Sequence, residues 1–285
     1  MAIIVAFFIS TVGLAIFQRL DINFVIALWL GGGLVALIGF IDDRKSQPAI
    51  LRFAVHIVAA TIVVILLMNG QLRAGAAELW VGGFLAVVAL TWVANLFNFM
   101  DGIDGIAASE AAFIMAAAAL LHWYFGGDLG ITCAMLNLAA AALGFLLWNW
   151  PPAKIFMGDV GSGFLGFVIG SFAIYTSLIG SVPLSVWVIL SAAFVTDATA
   201  TLILRILRGD RWTEAHRMHA YQHLAIRWKS HSAVTLAITI INVVWLFPCA
   251  LLELQVPRLE PLWLSLAVLP LLGAALISGA GRPSR

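Results

Sequence analysis

Residues 95–110 read N-L-F-N-F-M-D-G-I-D-G-I-A-A-S-E and close an apolar run that begins near residue 79. Asn95, Asn98, Asp101 and Asp104 recur there at every third position, so a helix or helical turn would place them on one slowly drifting face. Lipid cannot solvate such groups. Carboxylates at the end of a membrane helix are costly, and they face a cavity, a partner or an ion.

The rest of the chain supplies the oily context. Of its 285 residues 63% are hydrophobic and 10% charged, and the mean hydropathy is +1.06. A soluble domain carries about a quarter charged residues, so the composition defines an all-α polytopic membrane protein. A net charge of +1 argues against a nucleic-acid partner and against a polybasic membrane anchor. Cys133 and Cys249 lie in apolar runs without a CxxC or a neighbouring His, as packing residues do. The N-terminal Met-Ala-Ile-Ile lacks the basic region of a signal peptide and enters an apolar segment directly, which predicts a retained helix.

Breaks in hydropathy predict ten spans, near 2–17, 24–41, 50–68, 79–97, 105–125, 130–148, 161–179, 184–204, 233–252 and 262–279. The first falls short of the ~20 residues a crossing helix needs. Loops after even-numbered spans share one face. With the C-terminal tail they hold Arg44, Lys45, Arg52, Lys154, Arg205, Arg208, Arg211, Arg217, Arg227, Lys229, Arg282 and Arg285, against only Arg19, Arg73 and Arg258 opposite. The positive-inside rule makes the richer face cytoplasmic, with both termini.

The unusual polar residues fall on that same face. Asp42-Asp43-Arg44-Lys45 follows span two, the ladder follows span four, Asn149 to Ser162 follows span six and a basic, His-rich segment follows span eight. Five carboxylates, Asp42, Asp43, Asp101, Asp104 and Asp159, would then lie near one plane, where like charges repel unless a cation intervenes. Magnesium suits such a place, because it takes one or two carboxylates, keeps waters and completes its shell with substrate phosphates. Gly158, Gly161 and Gly163 flank Asp159 with permissive backbone, and Ser162 is a candidate cap for span seven. Lys45, Arg208, Arg211 and Arg217 are placed to neutralise phosphate oxygens. His216, His219 and His223 share one side of a helix and could bind a phosphate or sugar or move a proton, whereas no thiolate or H-E-x-x-H supports zinc.

Taken singly, an acidic pair at a helix end is an ordinary interface charge, and a Gly-rich run such as Gly166 with Gly170 is helix packing. Asp197 differs, since it lies about two turns inside span eight and a buried charge needs a partner or a role. Glu110, within span five, raises the same question.

Read in order, D-D-R-K at 42–45, N-x-x-N-x-x-D-G-I-D-G from 95, N-x-x-P-A-x-x-F-M-G-D-x-G-S from 149, Asp197 with Arg205, and H-R-M-H-A-Y-Q from 216 resemble the polyprenyl-phosphate N-acetylhexosamine-1-phosphate transferases of glycosyltransferase family 4. That family includes the phospho-N-acetylmuramoyl-pentapeptide translocase and the enzymes that start enterobacterial common antigen and O-antigen. The likeness spans roughly residues 20–232. It implies that undecaprenyl phosphate attacks the β-phosphorus of a UDP-N-acetylhexosamine, with Mg2+, giving undecaprenyl-diphospho-sugar and UMP. By motif, Asp159 resembles the main Mg2+ ligand, with Asp101 beside it, and Phe156 the aromatic that stacks on uracil. Asn95, Asn98, Asp101 and Asn149 resemble nucleotide-site residues, with Asp104 nearby and His216, His219 and Arg217 in the sugar- and phosphate-facing segment. Asp42 and Asp43 resemble the pair assigned to the lipid phosphate or the metal, without deciding which acts. A phosphate monoester is mostly ionised at neutral pH, which favours positioning over proton abstraction.

H-R-M-H-A-Y-Q is closer to the O-antigen-initiating branch than to the H-H-H pattern of the muramoyl-pentapeptide enzymes. The implied setting is the bacterial inner membrane, with lipid, nucleotide sugar and polyprenyl phosphate as partners and a homodimer as a further candidate. Family members usually begin with another helix and a cytoplasmic loop, so the expectation is one integral-membrane domain over residues 1–285 lacking that first piece, with an inactive truncated member as one alternative. The other is a transporter, which predicts mid-membrane carboxylates and broken helices. The CDP-alcohol phosphatidyltransferases are disfavoured, because Ala107 and Ala108 stand where their motif needs Arg.

Overall fold

A computed structural model describes residues 1–17, 19–72, 77–210 and 217–283, and the side chains of residues 69–72 and 77–78 are outside that description. His216 and Arg211 therefore lie outside the described residues. Lipid offers no partner to a backbone N–H or C=O, so an apolar chain satisfies them within helices. Thirteen α-helices result among the described residues: α1 (Ala2–Ile16), α2 (Ile22–Arg44), α3 (Ala49–Leu72), α4 (Ala77–Met100), α5 (Ile106–Tyr124), α6 (Leu129–Asn149), α7 (Gly158–Leu178), α8 (Leu184–Leu190), α9 (Ala192–Leu207), α10 (Ala220–Trp228), α11 (His231–Ile241), α12 (Phe247–Gln255) and α13 (Glu260–Ser278). No strand occurs among them. The protein is an all-α polytopic membrane protein.

Each of the ten predicted stretches is helical. Among the described residues eight helical stretches are long and apolar enough to cross, and a ninth exists if α8 and α9 count as one span bent by 82°. The break falls at Ser191, whose hydroxyl donates to the Trp187 carbonyl one turn back (2.6 Å). Such back-bonding competes with the helix ladder and bends it. Helix α1 has 15 residues, shorter than a crossing length, as its sequence predicts. Helices α11 and α12 form one stretch, His231–Gln255, joined by a π-helical turn over Asn242–Leu246. Pro248 lies in the first turn of α12 and lacks the N–H that would bond back into that turn, which favours a locally widened ladder before it.

Helix α7 is the hub. Most of its length is buried, and it packs against α2 on one side and α4 on another. Gly166 meets the Val93 carbonyl and Gly170 meets Leu90, so this small-residue pair seats α7 on α4 as expected. On the other side Gly39 of α2 rests on the backbone of Val160, where a Cβ would come within 2.6 Å of main-chain atoms. The alanine-rich helix α5 packs closely on α6, and Glu110 within it finds a buried partner, accepting from Asn242 Nδ2 (2.6 Å). Cys133 and Cys249 are free thiols.

Because Gly39 faces backbone that cannot rotate away, Gly39→Ala forces the end of α2 off α7. The expected cost is about 1–3 kcal/mol, seen as a lowered melting temperature of the purified protein in detergent. An unchanged melting temperature would refute this close approach.

Candidate active site

The C-terminal ends of α2, α4 and α6 and the N-terminal ends of α3 and α7 meet at one end of the bundle. Asp42 and Asp43 stand in the last turn of α2, Asn95 and Asn98 in the last turns of α4, and Asp101 and Asp104 in the turn beyond it. Asp159 is the second residue of α7. The start of the chain arrives there too, since the Met1 ammonium lies within electrostatic reach of Asp43.

The centre of the cluster is the Asp159 carboxylate. Arg52, on the first turn of α3, donates through Nη1 to Asp42 Oδ2 (2.8 Å) and to Asp159 Oδ2. Asn98 hydrogen-bonds the same carboxylate, and the Asp42 side chain is in contact with it. Asp101, half-buried, faces this group. Burial, with Asp159, Asp43 and Asp104 around it, pushes its carboxyl well above the usual carboxylate range. The result is a cluster of acids bridged by the Arg52 guanidinium.

In the sequence Arg52 is one positive charge among the twelve on this face. Its role is invisible there because its partners are 10 and 107 residues away. His56, one turn further along α3, was likewise missed. It is 5% exposed, and its side chain meets Asn95. Asn95 also donates to the Thr91 carbonyl (2.7 Å), so the first rung of the ladder serves the α3–α4 seam and does not reach Asp159.

The other predicted residues divide by where their polar atoms go. Asn149 is 3% exposed, accepts from the Gly105 N–H (3.0 Å) and donates to the Ile155 carbonyl (2.9 Å). Asp104 accepts from the Ala153 N–H (3.1 Å) and lies 3.4 Å from His231 Nδ1, while its carbonyl accepts from Thr235 (3.1 Å). These two stitch the turn after α4 to the Pro151-Pro152 turn and to α11. Asp43 accepts from the N–H groups of Asp159 (2.8 Å) and Val160 (3.3 Å). The expected cap of span seven by Ser162 does not form, since its hydroxyl donates to the Gly158 carbonyl within the helix (3.1 Å).

His219 is not presented to the cluster. It is 2% exposed, its ring lies against Phe99 and Tyr221, and Nδ1 is 3.4 Å from Asp197 Oδ1. The sequence offered it as a candidate to bind a phosphate or sugar or move a proton, but it is the N-cap of α10 and packs beside the Asp197 carboxylate. Asp197 accepts from the N–H groups of Ala220 (2.9 Å) and Tyr221 (3.0 Å) and from Thr201 (3.2 Å). Its carboxylate thus closes the start of α10 from within α9. Burial, with Asp197 and Asp101 nearby, raises the Tyr221 phenol, which stays protonated and donates to the Phe99 carbonyl (3.0 Å). Lys45, Phe156 and Arg217 are exposed, Phe156 by 79%.

Two of the grooves among the described residues lie near these elements, and the second is lined in part by Asp104. One, of about 480 Å3, is apolar and lined by Leu143, Gly144, Leu146, Leu147 and Trp150. The other, about 580 Å3, lies between the Pro151-Pro152 turn and Lys229 to Ser232.

The sequence that builds this bundle matches a known family. Residues 25–177 fit the family described as Glycosyl transferase family 4, and the chain belongs to that family. It is 27% identical over 256 residues to a probable undecaprenyl-phosphate N-acetylglucosaminyl 1-phosphate transferase of Bacillus subtilis (strain 168), covering 85% of this chain and 68% of that protein. It is 31% identical over 242 residues to a decaprenyl-phosphate N-acetylglucosaminephosphotransferase of Mycolicibacterium smegmatis, covering 74% of this chain and 59% of that one. A phospho-N-acetylmuramoyl-pentapeptide-transferase of Bacillus licheniformis is 28% identical over 239 residues, with 76% and 71% covered.

Asn149→Ala strands the Gly105 N–H and the Ile155 carbonyl in a buried seam. Each stranded group costs about 1–3 kcal/mol, so thermal denaturation in detergent should fall well below wild type. Phe156→Ala should leave the melting temperature unchanged. Equal melting temperatures for all three proteins would show that the Asn149 stitch carries no stability.

Proposed function

We propose that the protein transfers an N-acetylhexosamine 1-phosphate from a UDP-sugar to undecaprenyl phosphate, releasing UMP, at the cytoplasmic face of a bacterial inner membrane. The observation that carries this is the convergence of Asp42, Asp101, Asp159, Asn98 and Arg52 at one end of a membrane bundle. The names of the relatives support the chemistry, since two describe polyprenyl-phosphate N-acetylglucosamine phosphotransferases. Most cationic side chains also fall on loops of the end where the cluster sits, as the positive-inside rule asks of a cytoplasmic face.

In this reaction an oxygen of the lipid phosphate forms a bond to the β-phosphorus of the UDP-sugar. The bond from that phosphorus to the bridging oxygen breaks, and UMP leaves with the electron pair. Little covalent help is needed, because the attacking monoester is already ionised and the transition state spreads charge over phosphoryl oxygens. What the chain must do is hold two anions together. Arg52 supplies positive charge, and exposed Lys45 and Arg217 stand at the rim of that end. Asn98 orients Asp159.

Mg2+ suits this donor set. The described residues contain no preformed group of three His, Cys, Asp or Glu ligands, and a magnesium ion needs none, because it takes one or two carboxylates and completes its shell with water and diphosphate. Asp159 and Asp101 would hold it; burial and, after it, the neighbouring acids raise Asp101, and a divalent charge would offset the part due to those acids. When bound, the ion neutralises the diphosphate. The O-antigen assignment rests on H-R-M-H-A-Y-Q from residue 216, and UDP-N-acetylglucosamine and UDP-N-acetylfucosamine are the donors to compare first.

The test is UMP release by purified protein with undecaprenyl phosphate and a panel of UDP-sugars. Release should require the lipid phosphate, stop with EDTA and return with Mg2+. Asp159→Asn and Asp101→Asn should each lower the rate by about 100-fold or more, the scale of losing one electrostatic contact to a reacting phosphoryl group. Full activity in both variants, or release that ignores undecaprenyl phosphate, would overturn the proposal.

A further inference from the structure

We propose that Asp43 is a positioning residue: from α2 it caps the first turn of α7 and so fixes where Asp159 points, without touching the reacting groups. This rests on the functional reading above and assigns one of its acids a different task.

Helix α7 has no cap of its own. Its N-cap residue, Met157, makes no side-chain hydrogen bond, and the Ser162 hydroxyl is turned back onto the Gly158 carbonyl. The first N–H groups of a helix have no intrahelical partner. Asp43 meets that shortfall from another helix. One oxygen accepts from the Asp159 N–H (2.8 Å) and the other from the Val160 N–H (3.3 Å). The negative charge also sits at the positive end of the helix dipole.

The surrounding backbone is shaped for this contact. Gly158 has φ +69°, a conformation that side chains disfavour, and a Cβ there would come within 2.5 Å of Asp43 Oδ2. Gly39, one turn before Asp43, lets α2 lie directly on Val160. Both glycines are needed for a carboxylate on one helix to reach two amides of another.

Asp42 turns the other way. Adjacent residues on a helix point about 100° apart, and Asp42 engages Arg52 and the Asp159 side chain. The paired acids thus grip the same residue at two places: Asp43 holds its backbone, while Asp42 and Arg52 hold its carboxylate. This accounts for two consecutive acids without assigning both to chemistry, and it leaves each Asp43 oxygen already engaged as an acceptor.

The test uses the full chain in lipid nanodiscs with undecaprenyl phosphate, UDP-N-acetylglucosamine and Mg2+. Asp43→Asn, Asp43→Ala and Gly158→Ala are compared with wild type. Losing the cap should speed hydrogen exchange of the Asp159 and Val160 amides by about tenfold, which corresponds to ~1.4 kcal/mol of lost capping. The rate should fall about tenfold in Asp43→Asn, which keeps one acceptor, and further in Asp43→Ala. The pH profile of kcat should keep its midpoint, and the KM for undecaprenyl phosphate should stay within about twofold. Gly158→Ala retains the carboxyl but disturbs its seat, and should reproduce the faster exchange and the loss of rate.

Unchanged exchange at both amides in Asp43→Ala would overturn the inference. So would loss of the acid limb of the pH profile, which marks a proton acceptor, or a defect confined to the KM for undecaprenyl phosphate, which marks a lipid-phosphate contact. If wild type releases no UMP, the functional reading fails, and amide exchange alone then decides the role of Asp43.

Discussion

Backbone N–H groups at a helix start must find an acceptor, and at the polar end of this bundle the acceptor comes from another helix. Asp43 on α2 serves α7, and Asp197 on α9 serves α10. Asn149 at the end of α6 closes the turn that starts α5, and Asp104 closes the Pro151-Pro152 turn. Where the amide is buried, as at Gly105 and Ala220, an unsatisfied group costs about 1–3 kcal/mol. The acids that look like a uniform cluster are therefore largely a set of cross-braces, and the catalytic candidates are the few side chains left over.

Those few form a coherent electrostatic unit. Asp42 and Asp159 share the Arg52 guanidinium, Asn98 adds a hydrogen bond, and Asp101 faces them with its carboxyl driven toward the neutral form. Such a centre is poor in positive charge for its number of acids. In the proposed reaction it would gain from a divalent cation and from a substrate that brings its own oxygens, as a nucleotide diphosphate would. The same economy explains why a rigid hub, α7, carries Asp159 at its first turn: positioning is most of what phosphoryl transfer asks of a protein.

The bent pair α8 and α9 bears on the contrast with a transporter. A broken span is present, as a transporter would predict, yet its carboxylate does not line a path. Asp197 is 5% exposed and its oxygens accept from two backbone amides and a threonine. The bend delivers α9 beneath α10, which in turn presses Tyr221 against the end of α4. A departure from straight-span geometry here anchors the site.

Composition, hydropathy and motif order were enough to establish an all-α membrane bundle, the family, and the gathering of Asp42, Asp43, Asp101, Asp104 and Asp159 at one end. Those properties are local or additive along the chain: lipid compatibility sums over about twenty residues, and parity follows from counting spans. The tertiary structure alone decided the division of labour. That Asp43 meets an amide 116 residues away, that Arg52 lies between Asp42 and Asp159, that His219 is buried and that Ser191 breaks a span all depend on which helix ends face each other. Spacing within one segment cannot encode that, because the acceptor a helix start requires can be supplied by any helix that packs against it.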